Sequence, residues 1–188
     1  KTSFLKFLKE VFGHNMTYLD SHSINSNFNS DWGNKLLLGL DEAALQREEL
    51  TEKIKYLSTT NINKIEAKGK DRFEVEFFGK FVMCSNKEDS FIKIDPEETR
   101  FWVIKVPKIK NEDVNFLQKL FAEIPAFLDF ILNRNFYTQR ITRMWFTPKQ
   151  IYTQALKKLI DNNRSKIESE IANILYMVLE KFELEQVD

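Results

Sequence analysis

The feature that most constrains the fold is a continuous apolar run, LLLGL over residues 36–40, that ends in the adjacent acids Asp41 and Glu42. Short uninterrupted apolar runs are typical of strands that are buried on both faces of a parallel sheet. We therefore predict a buried strand over residues 35–40. Open α/β sheets bind ligands beyond the carboxyl ends of their strands, so the two acids are candidate functional residues. The alternative is that they only stabilise the start of the following helix.

Two helices are predicted on either side of this strand. The first covers residues 2–12, has apolar residues on one face and ends at Gly13. The second covers residues 42–58. Residues 15–33 are rich in Ser, Asn and Asp, and we expect a long connection with at most short structured pieces.

Further strands are predicted after the second helix. Residues 62–78 alternate between apolar and charged side chains around Lys68-Gly69-Lys70-Asp71, a pattern that predicts a β-hairpin. Apolar runs predict two more core strands, over residues 80–85 and residues 100–106.

The remainder of the sequence is predicted to be helical. One helix is expected over residues 111–133, with a possible break at Pro125, and another from Thr147-Pro148 to about residue 161. Ser165 and Glu168 form a capping-box pattern at the start of a last helix.

Composition restricts the possible partners of the chain. The 188 residues carry 28 basic and 28 acidic side chains, so any contact with nucleic acid must be local. No apolar stretch is long enough to span a bilayer, and one cysteine fits a reducing cytoplasmic setting, with Cys84 predicted to be a buried structural thiol. His14 and His22 have no neighbours at metal-ligand spacing, so neither is predicted to bind a metal.

The first two residues contribute a second candidate site. Lys1-Thr2 at the start of a helix resembles the end of a phosphate-binding P-loop, in which the lysine contacts phosphates and the hydroxyl binds Mg²⁺. With the Asp41-Glu42 pair, it suggests an NTP site in which Asp41 holds Mg²⁺ and Glu42 orients water. By itself the Lys-Thr pair carries little weight, because any chain can begin with it.

Two residues near later strands could complete such a site. Asn86 follows the strand predicted over residues 80–85 and could bind a phosphate or the attacking water; otherwise it only forms a turn. Arg100 could stabilise charge on a transferring phosphoryl group. Alternatively, it forms a surface salt bridge with Glu97 or Glu98.

The predicted hairpin concentrates basic side chains on a protruding loop. Lys64, Lys68, Lys70 and Arg72 could follow a nucleic-acid backbone, and Gly69 would let the loop approach it closely. The alternative is a solvated turn whose charges only maintain solubility.

In this order the motifs resemble the superfamily 3 helicases of the AAA+ class, specifically the phage and plasmid primase-helicases of the poxvirus type. The matching stretches are residues 1–5, 34–42, 81–86 and 98–104, with the hairpin between the second and third. The resemblance implies an α/β fold: an AAA+-type P-loop NTPase core, with a partial parallel sheet and an inserted β-hairpin, over residues 1–134. A small helical subdomain would follow over residues 135–188.

The resemblance also implies an activity, which is DNA translocation driven by ATP and Mg²⁺. Lys1, Thr2 and Asp41 would bind the nucleotide and metal, Glu42 and Asn86 would act on the attacking water, and Arg100 would reach a neighbouring subunit. The partners would be single-stranded DNA, other copies in a hexameric ring and a primase.

One departure from the family concerns the N-terminus. The family's first strand and glycine-rich loop should precede Lys1, so we expect a truncated P-loop that binds ATP poorly by itself. A non-catalytic AAA-like scaffold or DNA-binding module is the alternative. A kinase or other monomeric P-loop enzyme is disfavoured because it would leave the hairpin and Arg100 without a role.

Overall fold

The computed structural model describes residues 2–26, 28–41, 48–87, 91–108, 111–139, 146–163 and 166–182. In these ranges there are five strands, eight α-helices and one short 3-10 helix. The strands are β1 (Met16–Leu19), β2 (Leu37–Asp41), β3 (Ile62–Ile65), β4 (Phe73–Glu76) and β5 (Lys80–Cys84). The α-helices are α1 (Thr2–Phe12), α2 (Ser21–Asn25), α3 (Glu48–Leu57), α4 (Phe116–Ala122), α5 (Ile124–Leu132), α6 (Pro148–Ile151), α7 (Gln154–Asn163) and α8 (Lys166–Phe182).

The centre of the fold is a three-stranded parallel sheet in the order β1-β2-β5. Strand β2 is buried from Leu37 to Leu40 and exposed only at Asp41, which confirms the predicted buried strand with slightly different ends. Strand β5 is also confirmed, but Lys80 is exposed and its other residues are only half-buried, because β5 is an edge strand that pairs with β2 alone.

Alternate residues of β2 face two separate apolar clusters. Leu37 packs with Leu5 and Met16 on the side that α1 covers. Leu38 and Leu40 face the main core, to which α3 contributes Leu50, Ile54 and Leu57 and α7 contributes Leu156, Leu159 and Ile160. The two faces of one strand therefore hold together helices from distant parts of the sequence.

Helix α1 has the predicted bounds and ends at Gly13, which has a φ of +53°. Its C-terminus is fixed by Lys9, whose Nζ donates to the carbonyl oxygens of Gly13 at 2.8 Å and Met16 at 2.6 Å. The apolar face predicted for this helix includes Phe4, but this side chain is 52% exposed, so the prediction is partly wrong. Phe7 is buried instead, because its ring packs edge-on against Phe127 of α5 at 5.4 Å.

The connection predicted over residues 15–33 is more structured than its composition suggested. It begins with β1, whose Met16 and Leu19 are buried, and continues into α2. Only four residues form this strand, and Tyr18 is 47% exposed, so no long apolar run marks it in the sequence.

The core strand predicted over residues 100–106 is wrong. Residues 101–108 form no strand: Phe101 enters the core, whereas Trp102 is 62% exposed. A strand requires a neighbouring strand to pair with. Here the carbonyl of Val103 accepts a hydrogen bond from the hydroxyl of Thr153, at the start of α7.

Two of the predicted C-terminal helices are each divided into two, whereas the last one forms as α8. Residues 116–132 form two helices that meet at Glu123, with Pro125 in the first turn of α5. Thr147 and Gln150 form a capping box at the start of α6, but that helix ends at Ile151. The next helix, α7, has its own cap, because the Thr153 hydroxyl accepts a hydrogen bond from Leu156 N–H at 3.1 Å. Ser165 lies outside the described residues, and the division at residue 134 stays a prediction.

The packing around Gly79 and Gly39 predicts that a change to alanine lowers the free energy of unfolding by different amounts at the two positions. A Cβ at Gly79 would lie 2.8 Å from Cζ of the buried Phe77 ring, so Gly79→Ala should destabilise the fold by about 1–3 kcal/mol. A Cβ at Gly39 would lie 2.9 Å from Cε of Met16, a flexible methyl group that can move, so Gly39→Ala should cost less than about 1 kcal/mol.

Urea denaturation of the two variants and the wild type measures the loss of unfolding free energy in each variant. Equal losses of unfolding free energy would contradict the proposed difference in packing.

Candidate nucleotide site and nucleic-acid hairpin

The predicted acid and asparagine lie at the same edge of the parallel sheet. Asp41 is the last residue of β2, where it is the register partner of Cys84, and Asn86 follows two residues after Cys84. Because neighbouring strands are about 4.8 Å apart, the structure brings Asp41 and Asn86 to one edge. Cys84 is half-buried, so the prediction of a buried thiol is only partly met.

Helix α1 begins at this same edge. The three-residue 3-10 helix Gly13–Asn15 joins α1 to β1, so α1 must run antiparallel to the strands. Thr2 therefore lies at the end of the sheet where Asp41 lies. The first turn of α1 has no acidic side chain, and the N-terminal N–H groups of a helix are a general site for anions. Lys1 and Glu42 lie outside the described residues.

Asp20 lies at this edge too, and the sequence analysis missed it. It follows β1, and its Oδ1 accepts a hydrogen bond from Ser23 N–H at 2.6 Å at the start of α2. That bond lowers the pKa of the Asp20 carboxyl. An acid just before a short helix is a recognisable N-cap signal, and its role here is structural.

Arg100 is held within the chain by Glu98. Its Nη1 donates to Glu98 Oε2 at 3.2 Å, and its backbone N–H donates to Glu98 Oε1 at 3.0 Å. The salt bridge considered as the alternative reading of Arg100 is therefore present, while the predicted role in phosphoryl transfer stays a prediction.

Glu98 belongs to a larger ion cluster around the buried Lys55. Lys55 Nζ lies 2.8 Å from Glu52 Oε1, 3.0 Å from Asp95 Oδ2 and 4.0 Å from Glu98 Oε2. Burial opposes ionisation of Lys55, but the hydrogen bonds that Lys55 Nζ donates to Glu52 and Asp95, with the charges of these two acids, outweigh burial and raise the pKa of Lys55. The cluster fastens the segment that contains Arg100 to α3.

The predicted hairpin is confirmed and carries the predicted cations. Strands β3 and β4 are antiparallel with Ile65 opposite Phe73, and the turn between them has Gly69 at a φ of +74°. The loop closes with a hydrogen bond from Lys70 N–H to the Ala67 carbonyl at 3.0 Å.

The four hairpin cations fall into two pairs. Lys64 is 3.7 Å from Glu74 across the strands, and Arg72 forms an ion pair with Glu66. Lys68 and Lys70 are exposed at the tip, and no acidic side chain among the described residues pairs with them. The positive charge available to a ligand is therefore concentrated at the tip.

The described part of the chain contains neither a cluster of metal ligands nor a membrane-spanning helix. No group of three or more His, Cys, Asp or Glu side chains there is placed to hold a metal ion. Within the same ranges, none of the helices has the length and apolar character needed to cross a membrane.

A small parallel sheet covered by helices, with a hairpin inserted before its last strand, defines a mixed α/β protein. Residues 1–100 match a family described as "Family of unknown function (DUF5906)", and the chain belongs to that family. The matched residues include the sheet, the hairpin and the candidate edge. None of the curated proteins matches the chain.

Solved structures of the NrS-1 C-terminal region share this fold. An apo structure of its residues 305–718 is 18% identical with a TM-score of 0.70, and an A-form apo structure is 19% identical with a TM-score of 0.71. Both matches cover 99% of this chain but 48% of the other chain, so this chain spans about half the length of those structures.

The ion cluster predicts a pH-dependent stability. Lys55→Met should lower the free energy of unfolding by about 1–2 kcal/mol, because it removes a buried charge-assisted network whose Glu52 and Asp95 can be rehydrated. Since the folded-state pKa of Lys55 is raised, the contribution is full below the unfolded pKa of about 10.4 and is lost as pH rises through the folded pKa.

Urea titrations at several pH values test this effect, with Lys157→Met, an exposed lysine of α7, as the matched control. The stability difference between wild type and Lys55→Met should stay constant from about pH 6 to 9 and shrink above about 10.4. A difference no larger than that of the control would contradict the cluster's role.

Proposed function

We propose that this chain is the motor module of an ATP-dependent DNA helicase, in a phage or mobile-element primase-helicase. One observation supports the proposal: Asp41 and Asn86 lie at one edge of a parallel sheet, and a basic hairpin is inserted between the strands that end near them. The module would couple ATP hydrolysis to translocation along single-stranded DNA, as a hexamer with a primase domain or partner.

Several of the chain's own residues would hold part of a bound Mg²⁺-nucleotide. Lys1, Thr2 and the N-terminal N–H groups of α1 would hold phosphates, while the Thr2 hydroxyl and the Asp41 carboxylate would hold the metal. Nucleotide-bound Mg²⁺ needs one or two carboxylates beside the phosphates, so a cluster of three acids is not required. The metal would neutralise charge that develops on the phosphates.

Three other residues would act on the reaction. Glu42 would orient the attacking water, and Asn86 would bind the terminal phosphate or that water. Arg100 would contact the nucleotide of a neighbouring subunit, and it would first have to leave Glu98.

A second candidate function is a non-catalytic AAA-like scaffold or DNA-binding module. The ion pair of Arg100 with Glu98 favours it, because the pair gives this arginine a structural role that needs no nucleotide. DNA binding without nucleotide hydrolysis by the full-length protein would support this candidate and reject the motor.

The nucleotide site makes a prediction about hydrolysis by the full-length protein. Glu42→Gln should reduce DNA-stimulated ATP hydrolysis by about 100-fold or more while ATP binding persists, because the amide cannot accept the proton of the attacking water. Asp41→Asn should weaken Mg²⁺-dependent binding. Glu49→Gln, at an exposed position of α3, is the control. Normal turnover in Glu42→Gln would reject the assignment of Glu42.

The hairpin makes a separate prediction about DNA binding. The double variant Lys68→Ala/Lys70→Ala should weaken binding of single-stranded DNA and lower the slope of log affinity against log salt by about 0.7 per lost phosphate contact. The double variant Lys64→Ala/Arg72→Ala changes net charge equally but removes cations already paired with acids, so its effect should be smaller.

Fluorescence anisotropy titrations at several salt concentrations compare the two double variants. An unchanged slope in the tip variant would reject the hairpin as a DNA contact, and equal changes in both would indicate a general charge effect.

A further inference from the structure

Asn29 is a buried polar residue to which neither candidate site gives a role. It lies between α2 and β2 and is 7% exposed. Its Nδ2 donates to the carbonyl of Lys64 at 2.8 Å, and its Oδ1 accepts from the N–H of Glu66 at 2.9 Å. Its backbone N–H also donates to the carbonyl of Glu66 at 3.2 Å. One residue thus makes three hydrogen bonds to the backbone of the hairpin.

These bonds occupy the edge of β3 that faces away from β4. In a strand, the backbone groups of residues two apart point to the same side, and Lys64 and Glu66 both turn theirs to Asn29. Asn29 therefore occupies the place of a third strand. A side-chain amide suits this position because it donates and accepts at once. A two-stranded hairpin alone is marginally stable, so such support matters.

Residues 29–33, the segment that begins with Asn29, pack against the hairpin at two more points. A Cβ at Gly33 would lie 2.9 Å from Cδ1 of Ile65, so only a glycine lets the buried Ile65 approach this closely. The ring of Trp32 packs edge-on against Phe77 at 6.4 Å, just beyond β4. We name residues 29–33 the hairpin platform.

The hairpin platform connects directly to the strand of the candidate nucleotide site. Gly33 N–H donates to the Asn29 carbonyl at 2.8 Å, and Lys35 N–H donates to the Trp32 carbonyl at 3.0 Å, two residues before β2. A few hydrogen-bonded residues therefore link β2 to the outer edge of β3.

We infer that Asn29 is a positioning residue that fixes the basic hairpin relative to β2, so that Lys68 and Lys70 are presented to nucleic acid in one orientation. The orientation of the hairpin follows from the contacts above, whereas its use in binding DNA rests on the proposed function.

Hydrogen exchange measured by mass spectrometry tests the positioning without any ligand. Asn29→Ala should accelerate exchange in residues 61–76 by about tenfold or more, because Lys64 and Glu66 lose their partners, and should leave α1 and β2 unchanged. Asn25→Ala, the same change at an exposed position of α2, is the control. Hairpin exchange equal to that of the control would overturn the inference.

A second variant keeps the test decisive if Asn29→Ala fails to fold. Asn29→Asp keeps the acceptor for Glu66 N–H but loses the donor to the Lys64 carbonyl, so its hairpin should exchange at an intermediate rate. Circular dichroism identifies a variant that has lost the fold. A folded Asn29→Asp with wild-type exchange in the hairpin would overturn the inference equally.

Titration with single-stranded DNA separates positioning from direct contact. Asn29→Ala should lower affinity by about three- to tenfold through the added cost of ordering the hairpin, with the salt slope unchanged because every cation remains. If Asn29→Ala loosens the hairpin but binds single-stranded DNA as tightly as Asn25→Ala does, the proposed effect of Asn29 on DNA binding is wrong. Failure of the wild type to bind DNA would reject the proposed function, while the exchange experiment would still decide the role of Asn29.

Discussion

The pairing of β2 with β1 on one side and β5 on the other determines where Asp41 and Asn86 lie. The register places Leu40 beside Leu19 and Met83, so all three strands end together and Asp41 emerges at their common edge. Parallel strands require long connections, and each connection of this sheet carries one of the elements discussed above. The one between β1 and β2 contains Asn29, and the one between β2 and β5 contains the hairpin. Their hydrogen bonds to each other make the sheet and the hairpin one unit.

This chain has no net charge, so the effect of each charged side chain depends on which side chains lie near it. Three acids surround Lys55, and Glu66 and Glu74 pair with two hairpin cations, so most of these charges serve the fold. Lys68 and Lys70 differ because the turn carries them beyond the reach of those acids. A local patch of positive charge therefore arises on a chain without net charge, and at distances shorter than the screening length such local charge matters more than the net charge.

Features determined by neighbouring residues could be predicted from the sequence, and features determined by distant partners could not. The apolar run before Asp41 and the single apolar face of α1 are local patterns, and both elements form nearly as predicted. Residues 100–106 also have the composition of a strand, but composition does not show whether a pairing partner exists. Asn29 resembles any loop asparagine, because its partners lie 35 and 37 residues further along the chain.

The position of Arg100 reconciles a structural role with the proposed catalytic one. Its guanidinium is bound to Glu98, whose side chain is 7% exposed and would be costly to leave buried without a counter-charge. Lys55 lies 4.0 Å from the same carboxylate oxygen, so Glu98 keeps a positive neighbour when Arg100 moves away. A phosphate of a neighbouring subunit could therefore take Arg100 from Glu98 without leaving an uncompensated buried charge. In the isolated chain the ion pair holds the arginine near the surface, so the pair that favours a scaffold is also one that a phosphate of a neighbouring subunit could replace.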